Sequence, residues 1–155
     1  MTKALVLVLL LTFPLPVPPA SAGEPQSAAL TRDQRDWLSH AHRHEKEGWV
    51  YLHIEGEPRQ RGFQHGYLLA REIKESLRAT RRAWEYESAM DWPWLVGKAK
   101  TLFGPKIDAE NLAEIDGIVE GLRAAGIASS REEMIAYNGI FELAGYWWPK
   151  EKARL

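Results

Sequence analysis

The sequence predicts a mostly α-helical protein with one or two strands, and three observations carry that prediction. Thr31, Asp91, Asp108 and Ser130 stand where helices should start. Leu69, Ile73, Leu77, Thr80 and Trp84 recur at spacings of four, four, three and four, the period of one helical face. Only Trp49 to Ile54 forms a run of β-branched and aromatic residues that reads as a strand.

The chain opens with Lys3 and an apolar run of ten residues, Ala4 to Phe13. A spanning helix needs about 20 apolar residues, so this run provides no stable membrane anchor. Pro14, Pro16, Pro18 and Pro19 end any helix there, because proline lacks the amide donor. Ala20-Ser21-Ala22 then has the small residues of a signal-peptidase site, which places cleavage after Ala22 and export to the periplasm or the exterior. No cysteine follows, which excludes lipid attachment at a mature N-terminal cysteine and disulfide staples alike.

The 133 residues after Ala22 suffice for one domain with a modest core. Lys3 is the one charge removed, which leaves 19 basic and 21 acidic side chains, a balance of −2. That balance argues against a nucleic-acid partner, since phosphate binding calls for a basic face.

Residues 23–47 read as a short polar leader and a first helix. Thr31 and Gln34 have capping-box spacing, Trp37, Leu38 and Ala41 share one side, and Gly48 suits a left-handed C-terminal residue. The strand follows, with Val50, Leu52 and Ile54 on one face, and Glu55 to Pro58 form a turn. A long helix is expected from about Gly62 to Tyr86, with Arg71, Lys74, Arg78, Arg81 and Arg82 on its solvated side. Asp91 caps a helix that carries Trp94, Leu95 and Phe103 and stops at Gly104-Pro105. Asp108 opens another, burying Leu112, Ile115, Val119 and Leu122 and ending at Gly126. Ser130 and Glu133 form a second capping box, for a helix through Met134, Ile135, Asn138, Phe141 and Glu142 that ends near Gly145. Five helices and one strand result. A lone strand cannot pair its backbone groups, so it expects a sheet from elsewhere.

Few residues offer chemistry. His40 and His44, four apart, would share a helical face and could bridge a divalent metal, but Glu47 reaches them only with strain. The plainer reading is exposed titratable residues, so no metal ligand and no cofactor are assigned. There is no Gly-x-Ser-x-Gly elbow, and Gly56, Gly62 and Gly66 are too widely spaced to cradle a phosphate. Two segments stand out nonetheless. Gly56 to Ala70 sets three glycines around a strand-to-helix join, with Gln64 and His65 placed in the first turn to hydrogen-bond the strand or loop. Asn138 and Glu142 share a helical face flanked by Met134 and Phe141, where a buried carboxylate would need a cationic partner.

Here the sequence resembles a family. Gly-x-Pro followed by Arg61-Gly62-Phe63-Gln64-His65-Gly66 is similar to the start of the penicillin acyltransferase-like and phospholipase B-like Ntn hydrolases. Glu114-Ile115-Asp116-Gly117-Ile118-Val119-Glu120-Gly121 resembles their middle helix, and Asn138-x-x-x-Glu142 the helix before the nucleophile, shared with the acid ceramidases. The likeness spans about Gly48 to Pro149. It implies the N-terminal part of an α+β (αββα) fold, made as a precursor that cuts itself before a cysteine whose freed α-amino group acts as general base. It implies a linear amide, peptide-like or lipid-like substrate. The nucleophile should follow Tyr146-Trp147-Trp148-Pro149 shortly, yet the chain has no cysteine, and residues 150–155 read as a linker toward a missing C-terminal catalytic half. That half would come from the same or an adjacent reading frame, or the chain is a remnant that has lost it. No catalytic residue is carried over; Gln64, His65, Asn138 and Glu142 are pocket-lining or structural positions. Tyr146, Trp147 and Trp148 crowd one end and predict an exposed interface. The alternative is a stand-alone exported helical binding module that docks through this aromatic end.

Overall fold

The computed structural model describes residues 29–154; the expected leader 1–22 and its cleavage site lie outside the described residues. The chain is mostly helical with a two-stranded antiparallel sheet. Its first helix, α1 (Arg32–Ser39), carries the predicted capping box: Thr31 accepts from the Gln34 N–H and the Gln34 side chain bonds back.

α1 stops at Ser39, well before Gly48, and the segment expected to continue it forms β1 (His42–Lys46). β1 pairs with β2 (Trp49–His53) in the register His42 to His53, His44 to Tyr51 and Lys46 to Trp49. The physical reason is the pairing itself. Beyond Leu38 only Ala41 could extend an apolar helical stripe, whereas β pairing gives His42 to Lys46 cross-strand partners. Glu47 and Gly48 both take positive φ, 53° and 83°, the geometry of a two-residue hairpin turn. The strand is thus not alone, and needs no outside sheet to have a partner.

The long helix is also two helices. α2 (Pro58–Leu68) begins four residues earlier than expected, with Pro58 at its first position and a Glu57–Gln60 capping box. The chain bends at Leu69 (φ −108°, ψ 23°) and resumes as α3 (Ala70–Ser88). Ile73, Leu77 and Trp84 of the predicted stripe are buried in α3, and all five basic residues named on its other side are exposed. α4 (Trp92–Phe103), α5 (Ala109–Ala124) and α6 (Arg131–Asn138) start at the expected caps, with Asp91, Asp108 and Ser130 each accepting a backbone N–H. The Glu133 side chain does not close a box with Ser130; it accepts from the Trp92 indole at 3.0 Å and from Arg81 at 3.0 Å.

The last segment runs past Gly145. α7 (Ile140–Glu142) leads into a π-helical turn, Leu143–Trp147, and then α8 (Trp148–Lys152). Pro149 cannot donate to the carbonyl four residues back and its ring would crowd it, so the wider turn precedes it. Trp147 and Trp148 are not left exposed. Trp148 packs on Trp84 and Trp94, with ring centroids 5.4 and 5.7 Å apart, and Trp147 lies 5.8 Å from Trp94. Tyr146 alone of the terminal three is open, at 73% exposure.

The core is built from Phe63, Trp92, Leu95, Leu122, Met134 and Leu143. Its tightest joint is α2 against α5. Gly62 and Gly66 face Gly117 and Gly121 across it, backbone on backbone. A Cβ on Gly62 would overlap the Glu114 carbonyl oxygen, and one on Gly66 the Ile118 carbonyl oxygen. From the other side, a Cβ on Gly117 would lie 2.8 Å from the Phe63 nitrogen and one on Gly121 2.6 Å from the Tyr67 nitrogen. Only hydrogen fits at these four places, so two small-residue pairs spaced four apart let the helices meet at backbone distance.

Candidate functional site

Gln64 is 1% exposed, and its amide is fully engaged: Oε1 accepts from the Glu55 N–H at 2.9 Å and Nε2 donates to the Trp37 carbonyl at 2.7 Å. It therefore ties the loop after β2 and the end of α1 to α2, the loop bonding that its place beside a strand predicts. It does so from the second turn, because α2 starts at Pro58. With both ends bonded, Gln64 acts as a fastener.

His65, the next residue, turns toward a cavity of about 300 Å³ between α2, α3, α5 and α6. Leu69, Ile73 and Met134 give it apolar walls, and Ile118 comes from the glycine-paired stretch of α5. Glu72, Ser76, Tyr137 and Asn138 bring polar groups. The Tyr137 hydroxyl donates to Ser76 Oγ at 2.6 Å, and Asn138 Nδ2 donates to the Met134 carbonyl at 2.8 Å. Burial lowers the His65 pKa, with Glu114 pulling it the other way, so the imidazole stands neutral at pH 7. At Glu72, burial is outweighed by hydrogen bonds from its own backbone, Arg71 and Arg43, which hold the carboxyl below its ordinary range. The Arg43–Glu72 contact is 2.7 Å and joins the inner face of the hairpin to α3. A neutral imidazole, a hydroxyl pair and an amide over apolar walls can bind and orient an amide or ester group. They include no activated nucleophile, since Ser76 is bonded to Tyr137 and the chain has no cysteine.

Asn138 also borders a second cavity of about 270 Å³ with Phe103, Lys106, Ile115 and Glu142. Asn138 thus links His65 on one side with Glu142 on the other, while Gln64 stands apart. Glu142 is exposed and makes no ion pair among the described residues. The helix breaks at Gly139; beyond it Leu143 enters the core, while Phe141, expected on a buried face, is 80% exposed.

His40 and His44 do not share a helical face. His40 caps the end of α1 with Nδ1 3.0 Å from the Asp36 carbonyl, and His44 lies in β1. Sequence reasoning missed the β1 strand, the Arg43–Glu72 tie and the Tyr137–Ser76 pair. The alternation His42, His44, Lys46 against Arg43, Glu45, ahead of a Glu-Gly turn, was the signal for the first. The other two join residues 29 and 61 positions apart and left none.

Compared with models of known families, with curated proteins and with solved structures, this chain matches none.

Proposed function

We propose that this chain is the helical N-terminal region of an exported, self-cleaving Ntn hydrolase or acyltransferase that acts on linear amide or acyl bonds. One observation carries the reading. Three motif segments far apart in sequence meet at one place: His65 from the first, Ile118 from the second and Asn138 from the third line the same cavity. The four glycines of the first two motifs form the joint that brings them together. In this reading the nucleophile is a cysteine supplied by a C-terminal half, and the present chain binds and positions the acyl substrate. Alone it is inactive.

The sequence encoded beyond Leu155, in the same or an adjacent frame, should open with cysteine and continue β-rich. Joined to this chain and exported, it should hydrolyse a short N-acyl amide, and replacing that cysteine with alanine should abolish turnover. Absence of such a sequence, or a joined protein inert toward acyl amides, would remove the enzyme reading. A second reading, a helical binding module, draws support from the exposed Phe141 and Tyr146, at 80% and 73%. It requires a partner that Phe141→Ser weakens and that binds with no catalytic half attached.

A further inference from the structure

The outer face of the β-hairpin carries three histidines that the cavity does not use. His42 and His44 are two apart on β1 and so point the same way, and His53 is the cross-strand partner of His42. The ring centroids of His42 and His53 are 5.0 Å apart, and those of His42 and His44 6.2 Å. All three are exposed, while Arg43 between the first two points inward to Glu72. Beyond the strand, Glu55 Oε2 lies 3.3 Å from His53 Nε2.

We propose that His42, His44 and His53 form a binding site for a single zinc ion, with Glu55 orienting His53. The spacing fits the ion. With Zn–N distances of about 2.0–2.1 Å and tetrahedral angles, imidazole centres bound to one zinc stand about 5 Å apart. His42 and His53 are already there; His44, 6.2 Å from His42, lies against Tyr51 with ring centroids 4.9 Å apart and leaves that stack to reach the same ion, a movement open to an exposed side chain. The rings now stack at 19° to one another, so their nitrogens lie side by side, and among the described residues no three such donors converge as they stand. Turning the rings about χ2, a broad torsion in histidine, aims them at a common point above the sheet. The Glu55 contact occupies Nε2 of His53 and leaves Nδ1 as the metal donor, the carboxylate–histidine support common around bound zinc. Imidazole donors suit zinc and disfavour magnesium or calcium, and three protein ligands leave a fourth position for water. Neither His40 nor the cavity takes part.

The test uses the exported chain without a polyhistidine tag, titrated with zinc chloride by calorimetry. One equivalent should bind with micromolar affinity, and the His42, His44 and His53 ring resonances should shift together. His42→Phe keeps the stack on His53 but removes the nitrogen, so it should abolish saturable binding with unchanged thermal unfolding. Glu55→Gln should weaken binding about tenfold. His40→Phe should bind as the parent does. Absence of saturable zinc binding by the parent chain would overturn the site, as would undiminished binding by His42→Phe or His53→Phe.

Discussion

Gly66→Ala tests the helix joint on which the rest of the molecule depends. On propensity alone the change favours the folded state, since alanine in a helix interior is better than glycine by about 1 kcal/mol. Packing opposes it. The new Cβ would stand 2.9 Å from both Cα and the carbonyl carbon of Ile118 and would overlap its carbonyl oxygen. Carbon atoms rest at about 3.5–4.0 Å, so α2 and α5 must separate by roughly 1 Å. The obstacle is backbone, which cannot swing aside as a side chain can. Overpacking of this kind costs about 1–3 kcal/mol or somewhat more, and parting the tightest joint of the core belongs at the upper end. The net loss should be about 2 kcal/mol, which lowers the unfolding midpoint by roughly 5–12 °C in a domain of this size. The control is Gly97→Ala in α4, where a Cβ meets nothing within 4 Å. There only the helix-propensity gain remains, and the midpoint should rise. Thermal unfolding followed by circular dichroism reads both. Equal shifts of the same sign in the two variants would show that α2 and α5 do not interlock.

Other outcomes follow from named contacts. Gln64→Leu leaves the half-buried Glu55 N–H without its acceptor, at about 1 kcal/mol, while the Trp37 carbonyl keeps the His40 N–H; hydrogen exchange at the Glu55 amide should quicken, and unchanged protection would refute the tie. Glu133→Ala strands the indole N–H of Trp92, itself 2% exposed, and should cost about 2 kcal/mol in urea unfolding, whereas Glu133→Gln keeps an acceptor and should cost less than half as much. His65 gives a pH dependence. Its folded pKa lies below its ordinary 6.5, so at acid pH the unfolded chain binds a proton that the folded chain resists. Stability should therefore fall as pH drops through about 6.5 toward the lowered folded value, and His65→Gln should flatten that stretch of the urea-midpoint profile. Parallel profiles for the two proteins would place His65 in solvent.

Much of this fold was legible because its signals are local. Caps at Thr31, Asp91, Asp108 and Ser130 each involve a residue and a backbone N–H three positions on, and all four form. The apolar stripe from Ile73 to Trp84 is periodic within one helix and is buried as its spacing requires. Failures came where tertiary contact outweighs local preference. His42 to Lys46 has no strong bias of its own and becomes a strand because Trp49 to His53 folds back on it. The break at Leu69 separates a glycine face that must lie on α5 from a stripe that faces the core, a division that periodicity alone does not mark. At the aromatic end, a crowd of indoles looked unburiable because Trp84 and Trp94, which receive Trp147 and Trp148, lie more than fifty residues away in sequence. The candidate site was half visible. His65 and Asn138 stand in motifs and share a cavity; Ser76 and Tyr137 carry no motif and join them only where α3 and α6 wall the same cavity.

The proposed function makes this chain one part of a self-cleaving enzyme whose thiol lies in another part. That proposal is tested by the intact mass of the product when the sequence encoded beyond Leu155 is expressed in continuous frame with this chain. Self-cleavage should give two polypeptides, the second beginning at a cysteine, and one uncut polypeptide when that cysteine is replaced by alanine. A single uncut mass in both cases would contradict it.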